Sequence, residues 1–437
     1  MPPAEPRRPA RPTRTARPAG SPRDRAGEDG DVALVLDAGG ARSAYQVGVL
    51  EVLLPELERR GVHPTLHLGT SAGALLAAAL TSTAHLDAEE QVERLVATLD
   101  QATKRHVIRP LWQQVPVVAL RYASETLGLS VFRLRGLFGT GPLARTLGRA
   151  ISWDSLHDNL EQGRVHALSI VATAVRTGEV VMFTETDPDH RDLPGPETPD
   201  GYRRFVRTHL GVEHLMASSA IPTLFPSVRV ESPDEAAGWY ADGATRRRVP
   251  LAPALELGAE RVVAVGTGSL HPRTADPVLD RTPVDLGDGG ATLLGSVMDD
   301  PMRHDLRRLA ETNAMAADED LRPALDRHRA SRGRPPYRVV PYVAIAPERG
   351  DALADTALEV FRENHKSWRG TLSDPDLQVV HRLLGSDSPL QGELLSYLLF
   401  DPDFFDAARD LGRRDGRTWL AEHPDLWETG PIQAPAG

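Results

Sequence analysis

Cysteine is absent from the 437-residue sequence, and long apolar runs are absent as well. The lack of cysteine excludes disulfides, thiol nucleophiles and zinc sites built on thiolate. A membrane-spanning helix needs about 18 uninterrupted apolar residues, whereas the longest candidate here covers residues 72–80. The sequence therefore argues against an integral membrane protein and against a fold held together by covalent cross-links.

Basic residues are fewer than acidic ones: lysine and arginine together number 50 and aspartate and glutamate 61, which gives a net charge of −11. A nucleic-acid partner held by a broadly basic surface is therefore not expected. Only Lys104 and Lys366 are lysines, so arginine runs in this sequence are weak evidence for a specialised role. With 41% hydrophobic and 25% charged residues, the composition is that of a soluble globular protein.

The first 30 residues are rich in Pro, Arg, Gly and Ser and show no apolar periodicity. Such a segment cannot bury enough apolar surface to offset the entropy lost on ordering, so we predict a disordered tail over residues 1–30. Arg7-Arg8 resembles part of a twin-arginine export signal, but the apolar region that such a signal requires does not follow. We expect a cytoplasmic protein whose basic tail is either an unstructured leader or a contact for anionic lipid or a partner.

Short apolar strands alternate with amphipathic helices from Asp31 onward, which indicates an α/β fold with a mainly parallel central sheet flanked by helices. The clearest unit is strand Val32–Leu36, helix Ala44–Arg60 and strand Thr65–Leu68, followed by a helix over Gly73–Thr83. Further strands are predicted at residues 167–175, 180–183, 261–265 and 337–345, further helices at residues 250–257, 291–318, 350–368 and 389–412, and a linker at residues 327–336. We expect one domain over residues 31–270 and a mostly helical C-terminal extension over residues 271–437, with one strand that joins the main sheet.

Residues 69–73, Gly-Thr-Ser-Ala-Gly, match the pattern G-x-S-x-G at the point where a strand ends and a helix begins. A nucleophile at such a point lies on a sharp turn with strained backbone angles, so small residues are needed at Gly69 and Gly73. Ser71 is therefore a candidate nucleophile. The alternative is a glycine-rich connection in which the serine only caps the helix.

A second glycine-rich loop, residues 37–43, also follows a strand and leads into a helix. Successive small residues there leave backbone N–H groups pointing outward from a helix N-terminus, which favours an anion. The oxyanion of a tetrahedral acyl intermediate needs such donors. A nucleotide site is the rival interpretation, but G-x-G-x-x-G fails in register and the P-loop lysine is missing.

The third candidate is Asp242, where an aromatic strand ends in Asp-Gly. A carboxylate at that point is able to act as the general base for Ser71 if the fold brings the two within hydrogen-bond reach. Taken alone, the same residues are typical of an ordinary Asp-Gly turn.

Together, these three motifs resemble the patatin-like phospholipase family. The family pattern is a [D/G]-G-G-G-x-R-G loop, then G-x-S-x-G, then D-G-[G/A], and the chain has residues 37–43, 69–73 and 242–244 in that order. Weaker similarity to the family extends over residues 217–226, 249–259, 392–400 and 411–415.

The resemblance implies a patatin-like fold for residues 31–270 and the activity of a serine acyl hydrolase on lipid carboxylic esters, either phospholipids or lysophospholipids. Ser71 would attack the ester carbonyl and Asp242 would take its proton directly, with an acyl-enzyme as intermediate. The backbone N–H groups of Gly39, Gly40 and Ala41 would form the oxyanion hole, which Arg42 would help to hold. No cofactor is implied, and no spacing of His, Asp and Glu suggests a metal site.

Two residues depart from the family loop: Ala38 stands where its first glycine is usual and Ser43 where its last is usual. If position 43 takes positive φ, a serine there stores backbone strain, and Ser43→Gly is expected to raise kcat. These departures motivate an alternative function, a lipid-binding or regulatory module with a degraded site.

A second alternative is a Ser-His-Asp esterase, because six histidines follow Asp242 in the sequence. Residues 107–140, apolar with basic neighbours, are either a lid or acyl pocket in peripheral contact with a membrane or a buried helical layer. The run Arg246-Arg247-Arg248 either attracts lipid phosphate or is solvated or paired with carboxylates.

Overall fold

A computed structural model describes residues 30–101, 141–189, 193–195, 202–222, 224–271, 301–365 and 389–432. Four predicted segments lie wholly or partly outside the described residues: residues 1–29 of the tail predicted over residues 1–30, the segment 107–140, residues 291–300 of one predicted helix and residues 366–368 of another. Within the described ranges, no helix is long and apolar enough to cross a membrane.

Nine strands form one sheet in the described part of the chain, in the order β5-β4-β3-β2-β1-β8-β9, with β6 and β7 attached beside β3. Their bounds are β1 Val32–Leu36, β2 Leu66–Thr70, β3 Ala167–Ala174, β4 Val180–Thr186, β5 Arg203–Arg207, β6 Val228–Val230, β7 Gly238–Asp242, β8 Arg261–Val265 and β9 Tyr342–Ile345. Strands β3, β2, β1, β8 and β9 are parallel to one another. The prediction of a mainly parallel sheet is confirmed.

Helices cover both faces of this sheet. Their bounds are α1 Ser43–Arg59, α2 Ala72–Thr83, α3 Ala88–Gln101, α4 Gly141–Ala150, α5 Trp153–Glu161, α6 Val212–Ser218, α7 Leu251–Glu256, α8 Pro301–Ala317, α9 Arg322–Ala330, α10 Ala352–His365, α11 Pro389–Leu398 and α12 Pro402–Glu422. The apolar stripe of α1 packs on one face, where Val47, Leu50 and Leu57 are fully buried, while α7 and α8 contribute to the core on the other face. Because β1 and β2 are covered on both sides, every residue of these two strands is buried.

The C-terminal region packs tightly against the first βαβ unit. Strand β9 pairs with β8 in parallel, and α12 lies along α1. Glycines allow the two helix backbones to touch: a Cβ on Gly48 would lie 2.1 Å from the carbonyl oxygen of Arg409, and one on Gly412 would lie 2.1 Å from that of Tyr45. The Tyr45 hydroxyl also donates to Asp415 at 2.9 Å. The extension therefore completes the core that begins at β1.

Some predicted elements differ from the structure; the strand expected at residues 337–345, for example, covers only Tyr342–Ile345. The single helix expected at residues 389–412 is two helices, α11 and α12, because Pro402 cannot continue a helix while Asp401 caps a new one by accepting from the Asp403 N–H at 2.9 Å. The linker expected at residues 327–336 begins later, since α9 extends to Ala330. Its Arg and Ala residues favour helix, and the chain leaves the helical conformation only towards Gly333, whose φ is +65°.

Candidate active site

Ser71 lies on the sharp turn between β2 and α2, at φ 54° and ψ −123°. Among the non-glycine residues described, only Leu426 also has positive φ. The turn has no room for side chains on either side: a Cβ on Gly69 would lie 2.3 Å from the Gly73 carbonyl oxygen, and one on Gly73 would lie 2.4 Å from the Asp37 carbonyl oxygen. The backbone around Ser71 therefore requires the two glycines of the motif.

The Ser71 hydroxyl donates a hydrogen bond to Asp242 Oδ2 at 2.7 Å. The other carboxylate oxygen of Asp242, Oδ1, accepts from the Ala244 N–H at 2.8 Å. Both side chains are buried. Ser71 is thus held against a carboxylate whose own orientation is fixed by the backbone.

Strand β3 brings these two residues together. The parallel strand β2 ends with Thr70 opposite Val171, and the antiparallel strand β7 ends with Asp242 opposite the next residue, Ala172. The two strands therefore meet end to end along one side of β3. This register places Ser71, the residue after Thr70, beside Asp242 at the carboxyl edge of the central parallel strands.

Burial raises the pKa of Asp242 from 3.8 to about 7. The Ala244 N–H, the Ser71 hydroxyl and the positive charge of Arg248 each lower it, but the loss of hydration outweighs them. A carboxylate with a pKa near neutrality is matched to the transfer of a proton from a serine hydroxyl.

The glycine-rich loop after β1 lies against Ser71. Gly39 and Gly40 line the same small cavity as Ser71 and Asp242. Among the backbone hydrogen bonds that lie outside helices and strands in the described residues, none is donated by the N–H groups of Gly39, Gly40 or Ala41. Two glycines of the loop, Gly39 and Gly40, therefore lie beside the serine.

Buried polar contacts hold the start of this loop. The Asp37 carboxylate accepts from the Gln46 side chain at 2.9 Å and from the Thr267 N–H at 3.1 Å. The guanidinium of Arg248 lies 3.5 Å from the same carboxylate. These contacts join the loop to α1 and to the residues after β8.

Arg42 joins the loop to helix α11 of the C-terminal extension. It donates to the Ser396 hydroxyl at 2.6 Å and to the Glu393 carbonyl at 3.2 Å, forms an ion pair with the Glu393 carboxylate, and lies 4.1 Å from the centre of the Tyr397 ring. Gly40 is also pressed against this helix, because a Cβ there would lie 2.5 Å from the Tyr397 carbonyl oxygen. The helix therefore forms one wall of the loop.

A sequence model of the patatin-like phospholipase family matches residues 34–255, just over half of the chain. The chain belongs to the patatin-like phospholipase family. The matched residues include the glycine-rich loop, Ser71 and Asp242. The resemblance inferred from the motifs is confirmed, and the protein is a lipid acyl hydrolase by family.

One solved structure similar to the chain is VipD from Legionella pneumophila, with a TM-score of 0.33 and 13% sequence identity over 90% of this chain and 67% of VipD. A similarity this distant does not bear on the site. No curated protein sequence matches the chain.

The expected strain at Ser43 is absent from this patatin-like site. Ser43 has φ −60° and ψ −17°, in the right-handed helical region, and is the first residue of α1. The loop residue with positive φ is Gly40, at 54°, and Ala38 is not among the residues with positive φ. Serine and alanine therefore fit these two positions without backbone strain.

Ser218 contributes to the site, although its role was not predicted from the sequence. Its hydroxyl accepts from the Ser71 N–H at 2.8 Å and donates to the Val171 carbonyl at 2.6 Å. It thereby links the strained turn to β3. The signal available in the sequence was the family-like stretch at residues 217–222, which marks the segment but not the hydrogen bond.

The arginine run after Asp242 divides into three environments. Arg248 is buried beside Asp37 and lines the cavity at Ser71, and Arg247 forms an ion pair with Asp305 at 3.3 Å. Arg246 is exposed. Pairing with carboxylates therefore accounts for two of the three, and the run does not form a single cationic surface.

Histidine does not contact the Ser71–Asp242 pair in the part of the chain that the structure describes. The hydrogen bonds of the two side chains join them to each other and to the Ala244 N–H, and none involves an imidazole in the described residues. Of the six histidines after Asp242, His381 and the side chain of His365 lie outside the described residues. One cluster of described residues has the composition of a metal site, but it lies at the opposite edge of the sheet.

Proposed function

We propose that the protein hydrolyses carboxylic ester bonds of phospholipids or lysophospholipids, with Ser71 as the nucleophile and Asp242 as the general base. The observation that carries this proposal is the 2.7 Å hydrogen bond from Ser71 Oγ to Asp242 Oδ2 at a strained turn. A serine hydroxyl is a weak nucleophile until a base removes its proton. The family match supplies the substrate class.

In the acylation step, Ser71 Oγ attacks the ester carbonyl carbon as its proton passes to Asp242. The carbonyl oxygen becomes an oxyanion, which accepts hydrogen bonds from the backbone N–H groups of Gly39, Gly40 and Ala41. The intermediate then collapses: the bond to the leaving alcohol breaks, Asp242 returns the proton to that alcohol, and the acyl group remains on Ser71.

In the deacylation step, water attacks the acyl-enzyme. Asp242 takes a proton from the water and returns it to Ser71 Oγ as the carboxylic acid leaves. Each step uses only groups of the chain, the substrate and water. Arg248 favours the ionised form of Asp242 electrostatically, which keeps the base available near neutral pH.

Residues 31–270 carry this proposed machinery, and the C-terminal extension supports it. Arg42 and Gly40 both contact α11, so the position of the oxyanion donors depends on that helix. The catalytic domain therefore needs the C-terminal extension to hold its oxyanion loop in place.

The inactive lipid-binding alternative rested on Ala38 and Ser43. Both residues fit the loop without positive φ, and the N–H groups of Gly39 and Gly40, which line the cavity at Ser71, have no backbone acceptor outside helices and strands in the described residues. These observations favour a working oxyanion hole over a degraded one.

The backbone conformation of the loop predicts a large effect for one substitution and almost none for another close by. Gly40→Ala is expected to lower kcat about 10²-fold or more, because a Cβ would press on the Tyr397 carbonyl oxygen and displace the oxyanion donors. Ser43→Gly is the matched control, and its kcat is expected to stay within about twofold of wild type because φ at position 43 is −60°. Steady-state kinetics on one ester substrate measures both, and a Ser43→Gly variant clearly faster than wild type would contradict the assignment of strain to position 40.

Labelling with a fluorophosphonate tests the proposed nucleophile directly. The reagent phosphonylates a serine that a neighbouring base activates, so we expect one adduct per chain, located at Ser71 by peptide mapping. Ser82 is the internal control, because it is buried but its hydroxyl donates only to a backbone carbonyl, that of Ala79 at 2.7 Å, among the contacts described. If Ser71 stays unmodified under conditions in which the protein is folded, the proposed function fails.

A further inference from the structure

Three side chains from distant parts of the sequence meet at the edge of the sheet: His157 on α5, Glu185 on β4 and His209 just after β5. The Nδ1 atoms of His157 and His209 lie 2.8 Å and 3.2 Å from the same carboxylate oxygen, Oε1 of Glu185. The two imidazole rings are stacked with their centroids 3.7 Å apart. One possible ligand atom from each residue therefore lies within 4.8 Å of the other two.

The carboxylate at the centre of this cluster is held by the backbone. Its second oxygen, Oε2 of Glu185, accepts from the Leu210 N–H at 2.6 Å. Contacts of this kind orient the ligands of metal sites in proteins. The side chains of His157 and Glu185 are largely buried, whereas the His209 side chain is 75% exposed. One side of the cluster is therefore open to solvent.

We propose that His157, Glu185 and His209 bind a divalent transition-metal ion of the zinc type. Two imidazole nitrogens and a carboxylate oxygen are ligands that Zn²⁺ prefers, and the three atoms lie within 4.8 Å of one another. Zinc bonds of about 2.0–2.2 Å in tetrahedral geometry separate neighbouring ligands by roughly 3.3 Å. The distance from Glu185 Oε1 to His209 Nδ1, 3.2 Å, matches this value, and the distance to His157 Nδ1, 2.8 Å, is shorter. Water occupies the fourth position.

Binding requires a small rearrangement that the cluster permits. An ion in the planes of both rings forces the stacked imidazoles apart, and the exposed His209 side chain is the one that turns. The ion lies between the two Nδ1 atoms and Glu185, and each imidazole binds it through an unprotonated Nδ1. Because His157 and Glu185 are fixed by α5 and β4, two of the three ligands stay where they are.

The ion joins three elements rather than acting at the ester. Glu185 pairs with Leu168 near the start of β3, whereas Asp242 pairs with Ala172 near its end, so the cluster lies away from Ser71. The metal fixes the connection between β5 and α6, the helix that ends at Ser218. Its role is therefore to stabilise the fold on the side from which Ser218 reaches the nucleophile turn.

The test is zinc binding by the full-length protein without a histidine tag, after removal of metal with a chelator. Competition with a chromophoric chelator measures affinity, and thermal unfolding measures stabilisation. We expect one equivalent of Zn²⁺ to bind and to raise the unfolding midpoint by at least about 2 °C. His157→Ala and His209→Ala are each expected to weaken binding at least about tenfold. Mg²⁺, which prefers oxygen ligands, should have no effect.

His423→Ala is the matched control, because His423 pairs with Glu428 at 2.8 Å but shares that carboxylate with no second histidine in the described residues. Its zinc affinity should equal that of wild type. If His157→Ala does not fold, His209→Ala decides, since its side chain is mostly exposed. Absence of zinc binding by wild type, or undiminished binding by His209→Ala, would overturn the proposal. Neither outcome affects the ester-hydrolysis proposal, which uses no metal.

Discussion

Ser71→Ala is expected to lower ester turnover at least about 10³-fold while the protein stays folded. The substitution removes the proposed nucleophile, Ser71 Oγ, and leaves the backbone turn, which Gly69 and Gly73 make possible. Turnover of a short-chain aryl ester measures the loss, and circular dichroism checks the fold.

Ser82→Ala serves as the control for Ser71→Ala. It removes another buried hydroxyl from α2, at the far end of the same helix, and should leave turnover within about twofold of wild type. A folded Ser71→Ala protein that still hydrolyses the ester at a rate near that of wild type would show that a different residue carries the reaction.

Asp242→Asn is expected to lower kcat by about 10²–10⁴-fold, because an amide cannot take the proton of Ser71. The amide oxygen still accepts from the Ala244 N–H, so the turn after β7 is retained. Alanine substitutions at the later histidines are the comparison and should leave most of the activity. One histidine variant as inactive as Asp242→Asn, and equally well folded, would instead favour the Ser-His-Asp esterase.

The raised pKa of Asp242 also predicts how activity depends on pH. Only the ionised carboxylate is a base, so wild-type kcat/KM should rise with pH through about 7 and then level off. A profile that levels off already near pH 5 would show that Asp242 ionises at its ordinary pKa.

The free energy of unfolding should fall as pH rises, whereas kcat/KM rises. The folded protein holds the Asp242 proton up to about pH 7, whereas the unfolded chain loses it near 3.8. The stability that comes from the neutral carboxyl is therefore complete below about pH 4 and is lost as pH rises through about 7. Asp242→Asn never ionises, so its unfolding midpoint should exceed that of wild type at pH 8 and approach it at pH 4. If the unfolding midpoints of Asp242→Asn and wild type differed by the same amount at pH 8 and at pH 4, burial would be contradicted as the cause of the raised pKa.

The sequence by itself determined the family, the main sheet and the candidate nucleophile. Strands such as β1 and β8 appear as unbroken apolar runs because both faces of a parallel sheet are covered. The turn at Ser71 and the loop at Gly39 and Gly40 are visible because sharp turns and close backbone contacts require small residues at nearby positions. All of these signals are local, so a short window of sequence contains them.

Only the tertiary structure decided how these pieces act together. Ser71 and Asp242 are 171 residues apart, and their hydrogen bond depends on two strands that end at adjacent residues of β3. Three further features likewise depend on which distant segments pack together: the burial of Asp242, the ion pair of Arg42 with Glu393, and the cluster around Glu185. A motif specifies the residues available for chemistry, whereas the distance, hydration and charge around each of them are properties of neighbours that only folding supplies.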